Sequence, residues 1–154
     1  MKGFAMRFQV LGLMFASALL MVAADDPKDA VKKEYDKFEG TWKMESFTVD
    51  GKPTPIETFA EFRMTLKGEN FTTVTAEGKT NGTYKVDPSK SPKTIDITFT
   101  GGQLDGLTML GVYELDGDTY KVCLPAGGGK ERPKELASKP GSGLVLEVLK
   151  RVKP

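Results

Sequence analysis

These 154 residues contain no histidine, and Cys123 is the single cysteine. The first absence removes the usual general base at neutral pH, the Ser-His and Cys-His nucleophile pairs and the commonest metal ligand. The second rules out an internal disulfide, so stability must come from an ordinary apolar core. Cys123 lies in the apolar run that ends at Leu124 and reads as a small buried hydrophobe rather than a reactive thiol. A nucleotide loop is missing too: Gly127-Gly128-Gly129-Lys130 has neither the spacing of a phosphate cradle nor a helix pattern after it. Acid–base work would fall to carboxylates, but Asp96 and Glu114 sit on strand parities that face solvent. Asp116 and Asp118 flank Gly117 without the further ligands of a calcium loop, and serve as turn formers. The expectation is a protein that is not an enzyme, with no catalytic residue, no metal site and no cofactor.

An excess of charge is also lacking. Lys2 and Arg7 stand in the first 24 residues, which hold no acidic residue. Setting these two aside from the 22 basic residues leaves 20 against 21 acidic ones. Nothing in that balance steers the chain toward nucleic acid or an anionic surface. Those first 24 residues have a layout of their own. After Lys2 and Arg7, no charge occurs from Phe8 to Val22, and Val22-Ala23-Ala24 then offers small side chains before Asp25-Asp26. This is the pattern of a secretory leader. The alternative is a membrane anchor, but the apolar run is about 15 residues where a span needs roughly 20. The expected organisation is a signal peptide over 1–24 and one domain over 25–154, periplasmic or secreted, with no membrane span once the leader is removed.

Asp26-Pro27-Lys28-Asp29 carries a capping residue, a first-turn proline and an acidic residue, the signature of a helix start. Val31, Tyr35 and Phe38 then recur at i, i+4 and i+7, and Gly40 ends the helix. Beyond Gly40 the period changes to two. Trp42 and Met44 share a parity, Phe47 and Val49 take the opposite one, and the slip predicts a bulge near Ser46. Thr54-Pro55-Ile56-Glu57 has the form of a capping box and predicts a short helical turn, with Ile56 and Phe59 facing inward.

Strands follow around Phe62–Leu66, Phe71–Ala76, Gly82–Val86, Ile95–Phe99, Thr108–Leu115, Thr119–Leu124 and Gly143–Arg151. Turn signals such as Asp116-Gly117 separate them, with one long loop from Pro125 to Gly143. Eight strands with short links imply antiparallel neighbours. The predicted fold is all-β: an eight-stranded antiparallel up-and-down barrel with a short N-terminal helix. A two-sheet sandwich is the competing architecture that spacing alone does not separate.

The stretch Phe38-Glu39-Gly40-Thr41-Trp42, a helix leading into Gly-x-Trp on the first strand, resembles the start of a lipocalin. In lipocalins that Trp plugs the closed end of the barrel, and a basic residue near the end of the last strand packs over it. The resemblance points to Lys150 or Arg151 for that part. A wider pattern includes Gly40-Thr41-Trp42, Asp50-Gly51-Lys52-Pro53, Pro92-Lys93-Thr94-Ile95-Asp96, the run Leu110 to Asp118, Glu131-Arg132-Pro133 and Ser138 to Gly143. In that order these segments resemble the uncharacterised lipocalin-like domain expanded in planctomycete bacteria. The resemblance implies a lipocalin-like barrel and assigns no function.

Two functions compete. In the first, the domain holds a small apolar ligand in its lumen, lined by Trp42, Met44, Phe62, Met64, Tyr84, Ile97, Tyr113 and Leu146. Aromatic and methionine linings suit such ligands, although the same residues can also simply fill a small barrel. Strand alternation places Met64 and Tyr84 inside with Arg63 and Lys85 in solvent. In the second, the domain is a protein-interaction or inhibitor module of the cell envelope, acting through its long loops. The candidates are the Pro53 to Phe59 segment and Pro125 to Gly143, the latter with five glycines, three prolines and a mixed-charge stretch of net +2.

The leader carries its own test. Edman sequencing of protein isolated from its native host should begin at Asp25, and an intact Met1 would refute cleavage.

Overall fold

The computed structural model describes residues 26–154; the expected signal peptide, residues 1–24, lies outside the described residues. The first element is helix α1 (Pro27–Phe38). Asp26 caps it, its carboxylate accepting the Lys28 N–H at 2.9 Å. The helix stops at Phe38 with Glu39 as its C-cap, and Gly40 just beyond it does not take the left-handed helical conformation of a capping glycine. Gly40 instead opens the first strand at φ +128°, a conformation that side chains rarely adopt. A Cβ there would also lie 2.9 Å from the Arg151 guanidinium.

Nine strands follow: β1 (Gly40–Val49), β2 (Lys52–Thr54), β3 (Arg63–Lys67), β4 (Asn70–Thr75), β5 (Gly78–Asp87), β6 (Lys93–Thr100), β7 (Thr108–Asp116), β8 (Thr119–Pro125) and β9 (Leu144–Arg151). From β3 to β9 each strand pairs antiparallel with the next in sequence. β1 pairs with β3 on one side and β9 on the other, which closes an eight-stranded up-and-down barrel. The ninth, β2, is a three-residue hairpin arm on the far half of β1. It was not expected, because Lys52-Pro53-Thr54 is too short and polar to show an alternation.

The bulge is where the change of parity puts it. The register of β1 against β9 shifts between Met44 and Ser46. Trp42 and Met44 therefore share the barrel interior with Phe47, which pairs with Glu147 beyond the shift. Two expectations need correction. The capping box does not form: Thr54 ends β2, and a 3₁₀ turn over Ile56–Phe59 has no side-chain cap. Ile56 is 40% exposed, while Phe59 turns inward onto Phe47, ring centroids 4.7 Å apart.

The second correction concerns Leu146, which stands on the outer face of β9, opposite Thr48 and Cys123. Glu147 is its inward neighbour. The reason is that β9 is covered on both sides. The segment Pro125 to Gly143 lies against the outside of the barrel, burying Cys123, whose thiol donates to the Ala137 carbonyl at 3.5 Å. With apolar residues on both parities, alternation gives no polarity to read.

The closed end of the barrel is built on Trp42, which is fully buried. Its indole N–H donates to the Phe38 carbonyl at 2.9 Å. The Arg151 guanidinium lies 4.2 Å from the indole centroid. The same guanidinium donates to the carbonyls of Lys37 and Glu39 and pairs with Asp118. Lys150 points elsewhere, to Thr119. Phe38 drops from the helix into a ring of tyrosines, its centroid 5.6, 5.2 and 5.0 Å from Tyr84, Tyr113 and Tyr120. Glu34, also buried, accepts from Lys93 at 2.6 Å, Tyr113 at 2.9 Å and Lys37 at 3.0 Å. Burial alone would raise its pKa, but the three donors outweigh that and hold it below the usual carboxylate value.

Trp42→Ala should cost about 3–5 kcal/mol in equilibrium urea unfolding, and Trp42→Phe much less, because most of the apolar area survives. A Trp42→Ala variant within roughly 0.5 kcal/mol of wild type would contradict this packing.

Candidate functional site

Above the plug the barrel is not filled. A cavity of about 190 Å³ remains, with Phe38 on its floor. Its walls come from inward positions on successive strands. Met64 and Leu66 stand on β3, Phe71 and Thr73 on β4, Thr80 and Tyr84 on β5, and Ile95, Ile97 and Phe99 on β6. Tyr120, Val122 and Leu124 of β8 and Glu147 of β9 complete the wall. Phe62 and the 40%-exposed Leu104 belong to the end opposite the helix, where the cavity meets solvent.

Gly82 makes room for this arrangement. A Cβ at that inward position would sit 2.4 Å from the Phe71 ring and 2.3 Å from the Thr98 carbonyl oxygen. Phe71 can therefore lean across β5 and meet Phe99 edge-on at 5.6 Å.

Four of the eight residues expected in the lumen line this cavity: Phe62, Met64, Tyr84 and Ile97. Arg63 and Lys85, their neighbours in sequence, are exposed. Trp42, Met44 and Tyr113 are buried inside the barrel but do not line the cavity; they pack its closed end. Leu146 is outside, as described. The residue missed was Glu147. A charged side chain between Val145 and Leu149 resembles the solvent side of an amphipathic strand, so the wrong face was favoured.

Glu147 makes no hydrogen bond or ion pair. Loss of water alone pushes its pKa from 4.5 up to about 7. The other polar groups in the lumen are hydroxyls. Burial raises the Tyr120 pKa well above 10, and the nearby Glu147 carboxylate adds to the shift. Tyr84 Oη is fully buried and has no partner. Its pKa is raised mainly by burial. The cavity is thus an apolar space with one unpaired carboxyl and hydroxyls beside it.

The other sequence features resolve into structural roles. Asp96 accepts from Arg132 at 2.6 Å, and Arg132 also donates to the carbonyls of Gly111 at 2.7 Å and Ile95 at 3.0 Å. This straps the long loop to the barrel wall. Further along, Ser138 donates to the Leu144 carbonyl and accepts from the Gly51 N–H, while Asp50 accepts from the Gly143 N–H. Glu114 pairs with Lys121 on the surface, and Asp118 is taken by Arg151 and Lys153. Among the described residues, no group of three or more His, Cys, Asp or Glu could hold a metal ion. No helix there is long and apolar enough to cross a membrane.

The raised Glu147 pKa makes stability depend on pH. The folded protein holds this proton up to about pH 7, the unfolded chain only to about 4.5. Stability fully present below pH 4.5 is therefore lost as pH rises through 7. Glu147→Gln should raise stability at pH 8 by about 1–3 kcal/mol and leave it nearly unchanged at pH 4, measured by urea unfolding at both. Equal effects at the two pH values would show that the carboxyl is solvated.

No protein-family model matches this chain. No curated protein matches it either. Among solved structures, it is similar to a DUF4847 family protein from Bacteroides vulgatus, with 17% sequence identity and a TM-score of 0.49. That match covers 79% of this chain and 99% of the other.

Proposed function

We propose that this domain is an exported binding protein that takes one small apolar ligand into its barrel. The observation that carries the reading is the open space itself: an apolar cavity of about 190 Å³ above a fully packed end. A barrel whose only task was stability would gain by filling that space, since each buried void forfeits packing energy. The size limits the occupant. Drug-sized sites run from about 300 Å³ upward, while an apolar cavity of about 150 Å³ admits benzene. The ligand is then a single ring with a short arm, or a hydrocarbon of similar bulk.

Binding fits better than catalysis, because the lumen offers one carboxyl and no nucleophile or second acid–base group beyond tyrosine hydroxyls. The rival reading, an interaction module working through a protruding loop, has less support. Pro125 to Gly143 is laid down and bonded along its length rather than presented. Export rests on the charge-free run and small-residue site of the first 24 residues.

Calorimetric titration with ethylbenzene tests the cavity. Wild-type protein should show saturable binding, and Ile97→Trp, which fills the space, should abolish it while keeping a cooperative thermal transition. Binding retained by the filled variant, or none by wild type, would overturn the proposal.

A further inference from the structure

Two carboxylates lie within this barrel and its cap, Glu34 buried and Glu147 half-buried, and they are treated differently. Glu34 is saturated by three donors. Glu147 faces the cavity with none. Folding has withdrawn Glu147 from part of its water without supplying a partner, an arrangement that is costly wherever the group is merely structural. The space in front of it is where a partner would have to come from.

We propose that Glu147 is the specificity-determining residue of this cavity, and that the ligand is a small ring compound carrying a primary amine. The inference rests on the ligand-binding reading above and narrows it. Each competing ligand class meets a physical objection. A plain hydrocarbon would take the last accessible water from the carboxyl and leave it unpaired. An anion would face like charge in a low-dielectric space. An ammonium group matches the carboxylate in charge and donates to it, and folding has already met part of the carboxylate's desolvation, which lowers what binding must still supply. Aromatic walls at Phe38, Phe71, Phe99, Tyr84 and Tyr120 add favourable surroundings for a cation.

Glu147 has few titratable neighbours. Phe47 of β1 and Val122 of β8 pair beside it. Across the lumen, the titratable groups lining the cavity are Tyr120 of β8 and Tyr84 of β5, both held protonated well past neutral pH. No lysine, arginine or second carboxylate lines the cavity to compete for the amine.

The test compares three probes of one size, 2-phenylethylamine, 2-phenylethanol and propylbenzene, by calorimetry on the full mature chain and on Glu147→Gln. At pH 8 the amine should bind about tenfold or more tightly than propylbenzene. Glu147→Gln should erase that preference while still binding propylbenzene, which also shows that the variant is folded. Because the free carboxyl titrates near pH 7, amine affinity should fall about tenfold from pH 8 to pH 6, and propylbenzene affinity should rise. An amine no tighter than propylbenzene, a preference that survives in Glu147→Gln, or an alcohol as tight as the amine at pH 8 would each overturn the assignment while leaving the cavity a binding site. Binding of none of the three would overturn both.

Discussion

The contact between Trp42 and the end of α1 fixes where everything else in the barrel can go. A helix leaves its last carbonyls without intrahelical partners, and that end carries partial negative charge. Here the indole N–H takes the Phe38 carbonyl, and the Arg151 guanidinium takes those of Lys37 and Glu39. Arg151 is available because Trp42 pairs with it across the ladder that closes the barrel. Closing the sheet thus delivers the cation to both the ring face and the helix end. Gly40 is the joint that makes this geometry reachable, turning the chain from helix to strand in two residues.

That docking divides the interior. Once α1 is seated, Phe38 becomes the boundary between a solid aromatic layer and an empty one. Below it, Trp42, Met44 and Tyr113 fill the barrel as side chains fill small barrels in general. Above it, Gly82 and the leaning Phe71 ring shape a wall that does not close the space. The long loop contributes from outside. By covering Cys123 it lets β8 and β9 be apolar on both faces, which holds β9 between two packed layers. Glu147 is therefore presented from a supported strand rather than from a loop.

The sequence made the frame legible because its signals were local. The capped start of α1, the switch from a period of 3.6 to 2 at Gly40, the parity slip of β1 and the Asp116-Gly117 hairpin each depend on a few neighbouring residues. Met64 and Tyr84 could be placed because polar neighbours, Arg63 and Lys85, marked the other face. What failed was long-range. Pro125 to Gly143 reads as a solvated loop, and nothing local says that Arg132 crosses to Asp96 and the carbonyls of β6 and β7. Without that cover the outer face of β9 looks like an inner one, which favours Leu146 over Glu147. The capping box failed for a related reason: Thr54 was already committed to the β2 ladder.

Glu34 and Glu147 show how satisfaction separates a structural acid from one kept for another purpose. Glu34 is buried and Glu147 half-buried, and loss of water pushes the pKa of each upward. For Glu34, hydrogen bonds from Lys93, Lys37 and Tyr113 reverse the direction, and the ionised carboxylate pins the helix to β6 and β7. Nothing reverses it for Glu147, so its charge stays a liability to the fold at neutral pH. A leucine at that position, between Val122 and Phe47 in the ladder, would carry no such charge. Sequences that are otherwise consistent with their fold depart from consistency mainly at functional sites. Apart from the unpartnered Tyr84 hydroxyl, the rest of this lumen is consistent, from its apolar alternation to the glycine that accommodates Phe71. The charged departure faces the empty space above Phe38, and on the proposed reading the two belong together, as an acceptor and the room for what it accepts.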